Sequence, residues 1–186
     1  MVFGQVAVED KSNEITANPK LLELMDLKGA VVTIDAMGTQ RPFDSAQGVV
    51  AKAVVEGGGD YLLPAKGNQE TLHAKVKAMP DDAVAGPVAG LAVGYFKEED
   101  DDHGRLETRE TWVVGEVHWL PKGLLDRWPG LATGSLMMTQ RTRQDLTDLT
   151  GKITVEDHYY ISSLAGQARG PRCRGPFRRT AGPATA

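Results

Sequence analysis

One carboxylate in this chain stands where chemistry is often done. Ala30 to Ile34 is an apolar run that ends at once in Asp35, followed by the small, turn-forming Ala36, Met37 and Gly38. In open α/β sheets, ligands and catalytic groups gather at the carboxyl ends of parallel strands. A carboxylate there can coordinate Mg²⁺, a hard cation that prefers oxygen ligands. The commoner role of such a residue is plainer, an Asp that hydrogen-bonds the turn behind it. Lys66 closes a second apolar stretch in "LLPAKGNQ". It could meet a phosphate, assisted by backbone amides at a helix start near Asn68. The simpler reading has Gly67 making the turn and Asn68 capping the helix. In "HGRLETRE", Arg105, Glu107 and Arg109 share one face of an extended strand. Two arginines on one face suit phosphate contacts. The Glu107 between them equally suits an exposed ion-pair ladder.

Other patterns carry less. His73, His103, His118 and His158 have no zinc-ligand spacing, and the single Cys173 cannot complete a thiolate site or form an intrachain disulfide. Solvated surface or ordinary packing is expected for each histidine. The five acids Glu98 to Asp102 read as a solvated loop. Trp112, Trp119 and Trp128 read as packing residues. The chain contains no P-loop, dinucleotide fingerprint or nucleophile elbow.

The elements that must position these residues follow from the apolar pattern. "VFGQVAV" (2–8) reads as a strand. A helix begins at Asn18 and Pro19, buries Leu21, Leu22 and Met25, and stops at Gly29. "AVVTIDA" (30–36) is a continuous apolar run, as in a strand covered on both faces. "AQGVVAKAVVEGGGD" (46–60) reads as a helix with Val50, Ala53 and Val54 inward, stopped by Gly57 to Gly59. "DYLLPAKG" (60–67) is a third strand. "NQETLHAKVKAM" (68–79) is a helix capped by Asn68, with Leu72, Val76 and Met79 on one face. Strands alternating with helices predict an α/β architecture with parallel pairing.

After Pro80 the pattern changes. A loop-like stretch leads into four strand-like segments, at 91–100, 105–115, 131–141 and 152–164, which predict an antiparallel β segment. In the last, Ile153, Val155, Asp157, Tyr159 and Ile161 share a face. The tail from Ala165 to Ala186 is rich in Gly, Pro, Arg and Ala, has no period and is expected to be disordered, read either as a basic arm for nucleic acid or, better suited to the abrupt change, as out-of-frame translation. Three segments result: a partial α/β core at 1–80, a β-rich segment at 81–164 and the tail at 165–186.

Composition narrows the class. The 186 residues suit one domain and are 41% hydrophobic and 25% charged, ordinary for a soluble globular protein. No apolar run approaches the ~20 residues needed to cross a bilayer. The start lacks a basic region followed by a long apolar stretch, so a cytoplasmic location and no membrane partner are expected. The formal charge is −4, but the tail holds five arginines and no acid. Residues 1–164 therefore carry 16 basic against 25 acidic side chains. Such an acidic body opposes non-specific binding to DNA, which needs Lys and Arg to neutralise phosphates.

Several long stretches occur here in a familiar order: "KSNEITANPKLLELMDLKGAVVTIDAMGTQ", "GGGDYLLPAKGNQETL", "HGRLETRETWVV", "WPGL" and "YYISSL". Together they resemble bacterial insertion-sequence transposases of the ISAs type, the H-repeat-associated proteins, over about Val2 to Leu164. The resemblance implies a ribonuclease-H-like core, a mixed sheet with flanking helices, followed by a β-rich insertion. It implies that DNA, at insertion-sequence ends and at the target, is the partner. It also implies chemistry by two Asp and one Glu holding two divalent ions, Mg²⁺ or Mn²⁺, at the scissile phosphate. In that scheme Asp35 matches the second aspartate as catalytic metal ligand, at the rim of a strand in the buried centre of the sheet. Lys66, Asn68, Arg105 and Arg109 become DNA-side residues.

The departures from the family pattern have consequences. The first aspartate, in an Asp-Gly-Lys context, and the glutamate, in a His-Trp-x-Ile-Glu-Asn helix, have no counterpart here, and the tail contains no acid. Arg41 to Gly48 looks like extra sequence, and Asp102 stands where a Gly usually precedes His103. The expectation is a fragment inactive on its own. A non-catalytic DNA-binding remnant that pairs with intact transposase or with itself is the alternative.

Overall fold

The protein is described by a computed structural model over residues 20–34, 44–66, 70–85, 93–102, 104–115, 117–146 and 152–166. The strand expected at 2–8, Asp35, Asn68 and the Arg-rich tail beyond residue 166 lie outside the described residues. Six strands form one sheet: β1 (Val31–Thr33), β2 (Asp60–Pro64), β3 (Val93–Asp102), β4 (Arg105–Gly115), β5 (Ser135–Asp145) and β6 (Ile153–Ser162). Their spatial order is β1-β2-β6-β5-β4-β3. β1 and β2 run parallel, and every other neighbouring pair is antiparallel. The sheet is accompanied by α1 (Asp44–Glu56), α2 (Glu70–Ala85) and the single turn α3 (Lys122–Leu125), besides the helical residues 20–23. The architecture is α/β with a mixed sheet. Because β6 pairs with both β2 and β5, the α/β half and the β-rich half share one hydrogen-bonded sheet.

Strand alternation sorts the side chains onto two faces. Tyr61, Leu63, Trp112, Val114, Leu136, Met138, Tyr159 and Ile161 fall on one face, each no more than 7% exposed. Val50, Ala51 and Val54 of α1, Leu72 and Val76 of α2, and Leu124, Trp128 and Leu131 complete the same core. Trp112 and Trp128 pack as expected, and Trp119 packs half-buried against the cluster. The core covers only the inner ends of the long strands. β6 runs from exposed Ile153 and Val155 to buried Tyr159 and Ile161. The ten or eleven residues of β3 to β6 span roughly 35 Å, so their outer halves project past the helices.

Several expectations need correction. Among the described strands β1 is the edge of the sheet rather than its buried centre, and Val31 is 54% exposed. Its apolar run signalled burial on both faces, but among the described residues β2 alone pairs with it. The helix expected to reach Gly29 ends after Glu23, and further on Asp26 Oδ1 accepts the Lys28 N–H at 3.2 Å and forms a local turn instead. α2 continues through Pro80 to Ala85. A proline followed by two acids is also a helix-start signature, and here it costs one backbone bond without ending the helix. Residues 131–133 form a 3₁₀ turn rather than the start of a strand, set by Gly130 at φ +82°. The acids Glu98 to Asp102 lie on β3, not in a loop, because β4 places Arg109 opposite Glu98 and Arg105 opposite Asp102. In α1 the deepest residues are Ala51 and Val54, and Ala53 is only half-buried. The stop at Gly57 to Gly59 holds: Gly58 has φ +76°, and a Cβ on Gly59 would lie 2.7 Å from the Leu27 carbonyl oxygen.

Candidate functional site at the strand ends

Parallel pairing sets β1 and β2 to end at the same edge of the sheet, with Thr33 level with Leu62. β6 returns antiparallel beside β2, Pro64 opposite Tyr160. The Ala65 N–H donates to the Tyr159 carbonyl at 2.8 Å and carries the pairing one residue past β2. Exposed Lys66 follows, at the register position opposite His158. From the helical layer His73 of α2 sets its ring edge-on to Tyr159, centroids 5.2 Å apart and planes at 89°. Pro64, Ala65, Lys66, His73 and residues 157–160 enclose an open cleft of about 330 Å³. Among these residues exposed Asp157 accepts from Gln140 Nε2 at 2.9 Å and from the Tyr159 hydroxyl at 3.5 Å.

A charged ladder extends outward from this cleft on the sheet face opposite the core. Glu98, Arg109, Arg141 and Glu156 form one row across β3 to β6. The next row inward holds Phe96, Thr111, Thr139 and His158, with the two threonine hydroxyls 3.0 Å apart. Glu107 is gripped twice, by Arg109 Nη2 at 2.5 Å and by Arg143 Nε at 2.6 Å. The hydrogen bond from Arg143, then that from Arg109, holds the Glu107 carboxyl below the usual range. Arg141 Nη2 meets Glu156 Oε2 at 2.6 Å and lowers that carboxyl likewise, while His158 Nε2 lies 3.7 Å from the same oxygen. Arg105 sits opposite Asp102 on one side and Asp145 on the other. Of the two readings open for "RLETRE", the ion-pair ladder is the one the side chains adopt around Glu107.

Comparison with known proteins decides the family. The chain is 36% identical over 163 residues to "Putative transposase YncI" of Escherichia coli O157:H7, an alignment covering 88% of this chain and 38% of that protein. It is 32% identical over 166 residues to "H repeat-associated putative transposase YhhI" of Escherichia coli K12, covering 88% and 40%. The chain belongs to the H-repeat-associated transposase family. A further relative, "Uncharacterized protein in dhlA 3'region" of Xanthobacter autotrophicus, is 39% identical over 163 residues, covering 88% of this chain and 49% of its own length. The chain thus spans half or less of the curated relatives it matches. No family model matches it, and no solved structure gives a significant match.

In this member of the family the residues singled out from sequence are not all brought together. Lys66 lines the cleft. Arg109 lies one row outward from the row of His158, about 7 Å along the strands, and Arg105 about 20 Å, at 3.4 Å per residue. Asp35 and Asn68 fall outside the described residues. Among the described residues no three His, Cys, Asp or Glu side chains converge as a metal ion would require. The described residues therefore do not form a complete Mg²⁺ or Mn²⁺ site. No helix of the described residues is long and apolar enough to cross a membrane. Sequence reading missed His73, Asp157, His158, Tyr159 and Tyr160 as cleft residues. The antiparallel return of β6 along β2 unites them, and pairing between segments a hundred residues apart leaves no local signal.

Proposed function

We propose that this chain is the central part of a transposase that cuts and joins DNA. In this reading β1 and β2 belong to a ribonuclease-H-like core, and Asp35, just beyond β1, is one of three carboxylates that hold divalent metal. Lys66 and Asn68 face the DNA backbone from the neighbouring strand end. The observation that carries the reading is alignment over 88% of the chain with relatives named as transposases. The shared edge at which β1 and β2 end supports it, since that edge is where an α/β sheet presents its reacting groups. With only one of the three family carboxylates matched, the 186 residues alone are inactive. Pairing of Arg109 with Glu107 offers little support to a purely DNA-binding remnant. Association with intact transposase belongs to that second reading.

Two experiments test this. Purified chain with supercoiled plasmid and Mg²⁺ or Mn²⁺ should leave the plasmid intact. Nicking abolished by Asp35→Ala would overturn the inactivity. Grafting the aligned segment into the YncI relative should preserve excision of a marked element if the relative is active, and Asp35→Asn should abolish it. A folded, inactive graft beside an active parent would sink the assignment.

A further inference from the structure

β2 accompanies only part of β6. It pairs with residues 160–162, and the Ala65 N–H adds one bond to the Tyr159 carbonyl. Among the described residues no strand lies beside 153–156 on that side. The Ala65 bond also fixes which backbone groups face outward. Alternate residues of an antiparallel strand turn their N–H and C=O to the same side. Tyr159 points its carbonyl toward β2, so Ile153 and Val155 likewise turn theirs away from β5. An open edge of this kind is a template for another strand. Its apolar side chains stand in solvent, Ile153 at 47% and Val155 at 37% exposure. The opposite edge, β3, carries the acids Glu98 to Asp102, and two such edges would set like charges together. At the remaining edge β1 offers only Val31–Thr33.

What the β6 edge fits best is itself. Residues 152–156 read Lys-Ile-Thr-Val-Glu. Laid antiparallel on a second copy about Thr154, Lys152 meets Glu156, Ile153 meets Val155, and Thr154 meets Thr154. We propose that two copies of this chain pair edge to edge through β6 in this register. Each Ile153–Val155 pair exchanges both of its backbone hydrogen bonds, because those are the outward groups. The two apolar pairs share the face that carries Tyr159 and Ile161, and the threonine and charged pairs share the other. Glu156 accepts from Arg141, and a carboxylate has about four acceptor positions, so it can also take the incoming lysine. Lys66 stands at the register position of His158, so β2 ends before the paired segment begins. The contact is two-fold and self-complementary, which closes it at two copies. It rests on β6 alone and not on the DNA chemistry proposed above.

The test uses the whole chain. Analytical ultracentrifugation over a range of concentrations should show a monomer–dimer equilibrium. Lys152→Glu sets like charges opposite each other and should weaken the dimer about tenfold. Val155→Pro removes an outward N–H and spares the bonds to β5, and should weaken the dimer by at least about tenfold. Because a proline can disturb β6 itself, cross-linking supplies a second readout. The Thr154 groups face β5, so opposed Thr154 residues form the closer kind of pair, with Cα atoms about 4.5 Å apart and within disulfide reach. With Cys173→Ser as background, mild oxidation should cross-link Thr154→Cys at least about tenfold faster than Ile153→Cys, whose opposed residue is Val155. A monomer at every concentration, a dimer unmoved by Lys152→Glu, or equal cross-linking of the two cysteine variants would each overturn the proposal.

Discussion

Across the β4–β5 pair, Arg143 donates from Nε to Glu107 Oε2 at 2.6 Å, while Arg109 holds the other oxygen of the same carboxylate. The hydrogen bond from Arg143 is the largest cause of the lowered Glu107 pKa. A carboxyl held low in the folded state stabilises the fold above its unfolded value. That contribution is lost as pH falls through the folded value. Stability against urea should therefore fall between pH 5 and pH 3, and Arg143→Gln should flatten that loss. An NMR titration of the Glu107 carboxyl should move upward in the same variant. An unchanged titration would show that the pairing is not maintained in solution.

Tyr61 is fully buried on β2, and its hydroxyl has no hydrogen-bond partner among the described residues. Burial, with the charge of Asp60 second, pushes that hydroxyl far above its ordinary range. A buried, unpaired hydroxyl costs about 1–3 kcal/mol of desolvation. Tyr61→Phe keeps the ring and removes that cost. Denaturant midpoints should rise, with a gain of about 1 kcal/mol or more. A fall in stability would mean that the hydroxyl has found water or another partner.

Gly134 links the 3₁₀ turn to β5 where β5 meets β6. A Cβ built there collides with the backbone carbonyl of Ser162. Backbone cannot step aside as a flexible side-chain end can, so Gly134→Ala should destabilise by about 3 kcal/mol. Gly123→Ala is the control, since a Cβ there meets nothing within 4 Å and the residue lies in α3. Thermal unfolding should lower the melting temperature of the first variant clearly and leave that of the second near the parent.

Much of the fold is readable without coordinates, and the failures have causes. β4 is legible to the residue, because "RLETRETWVVG" alternates and ends in glycine. The helix α1 is legible from its glycine stop. The burial of β1 is not, since an apolar run reports composition and not how many strands flank it. Pro80 looks like an ending because its missing N–H is a local fact, whereas continuation depends on the turn that follows. Lys66 is legible as a strand-end cation, but its neighbours Asp157 and His158 are not, because they reach it only through the pairing of Pro64 with Tyr160.

The same pairing logic sets what it would take for this face to bind DNA. Arg109 and Arg143 are held by Glu107, and Arg141 by Glu156. A phosphate must displace those carboxylates before it can use the arginines. Duplex binding by the parent chain should therefore be weak even at low salt. The double variant Glu107→Gln with Glu156→Gln releases up to three guanidinium groups while keeping the side-chain shapes. Each phosphate newly neutralised steepens the dependence of log affinity on log salt by about 0.9. Fluorescence anisotropy with a duplex should then show tighter binding and a slope steeper by about 2 to 3. Arg105→Gln in that background should leave the gain intact, since Glu107 is held by Arg109 and Arg143, and Glu156 by Arg141. An unchanged slope in the double variant would show that the freed arginines of this face do not bind DNA.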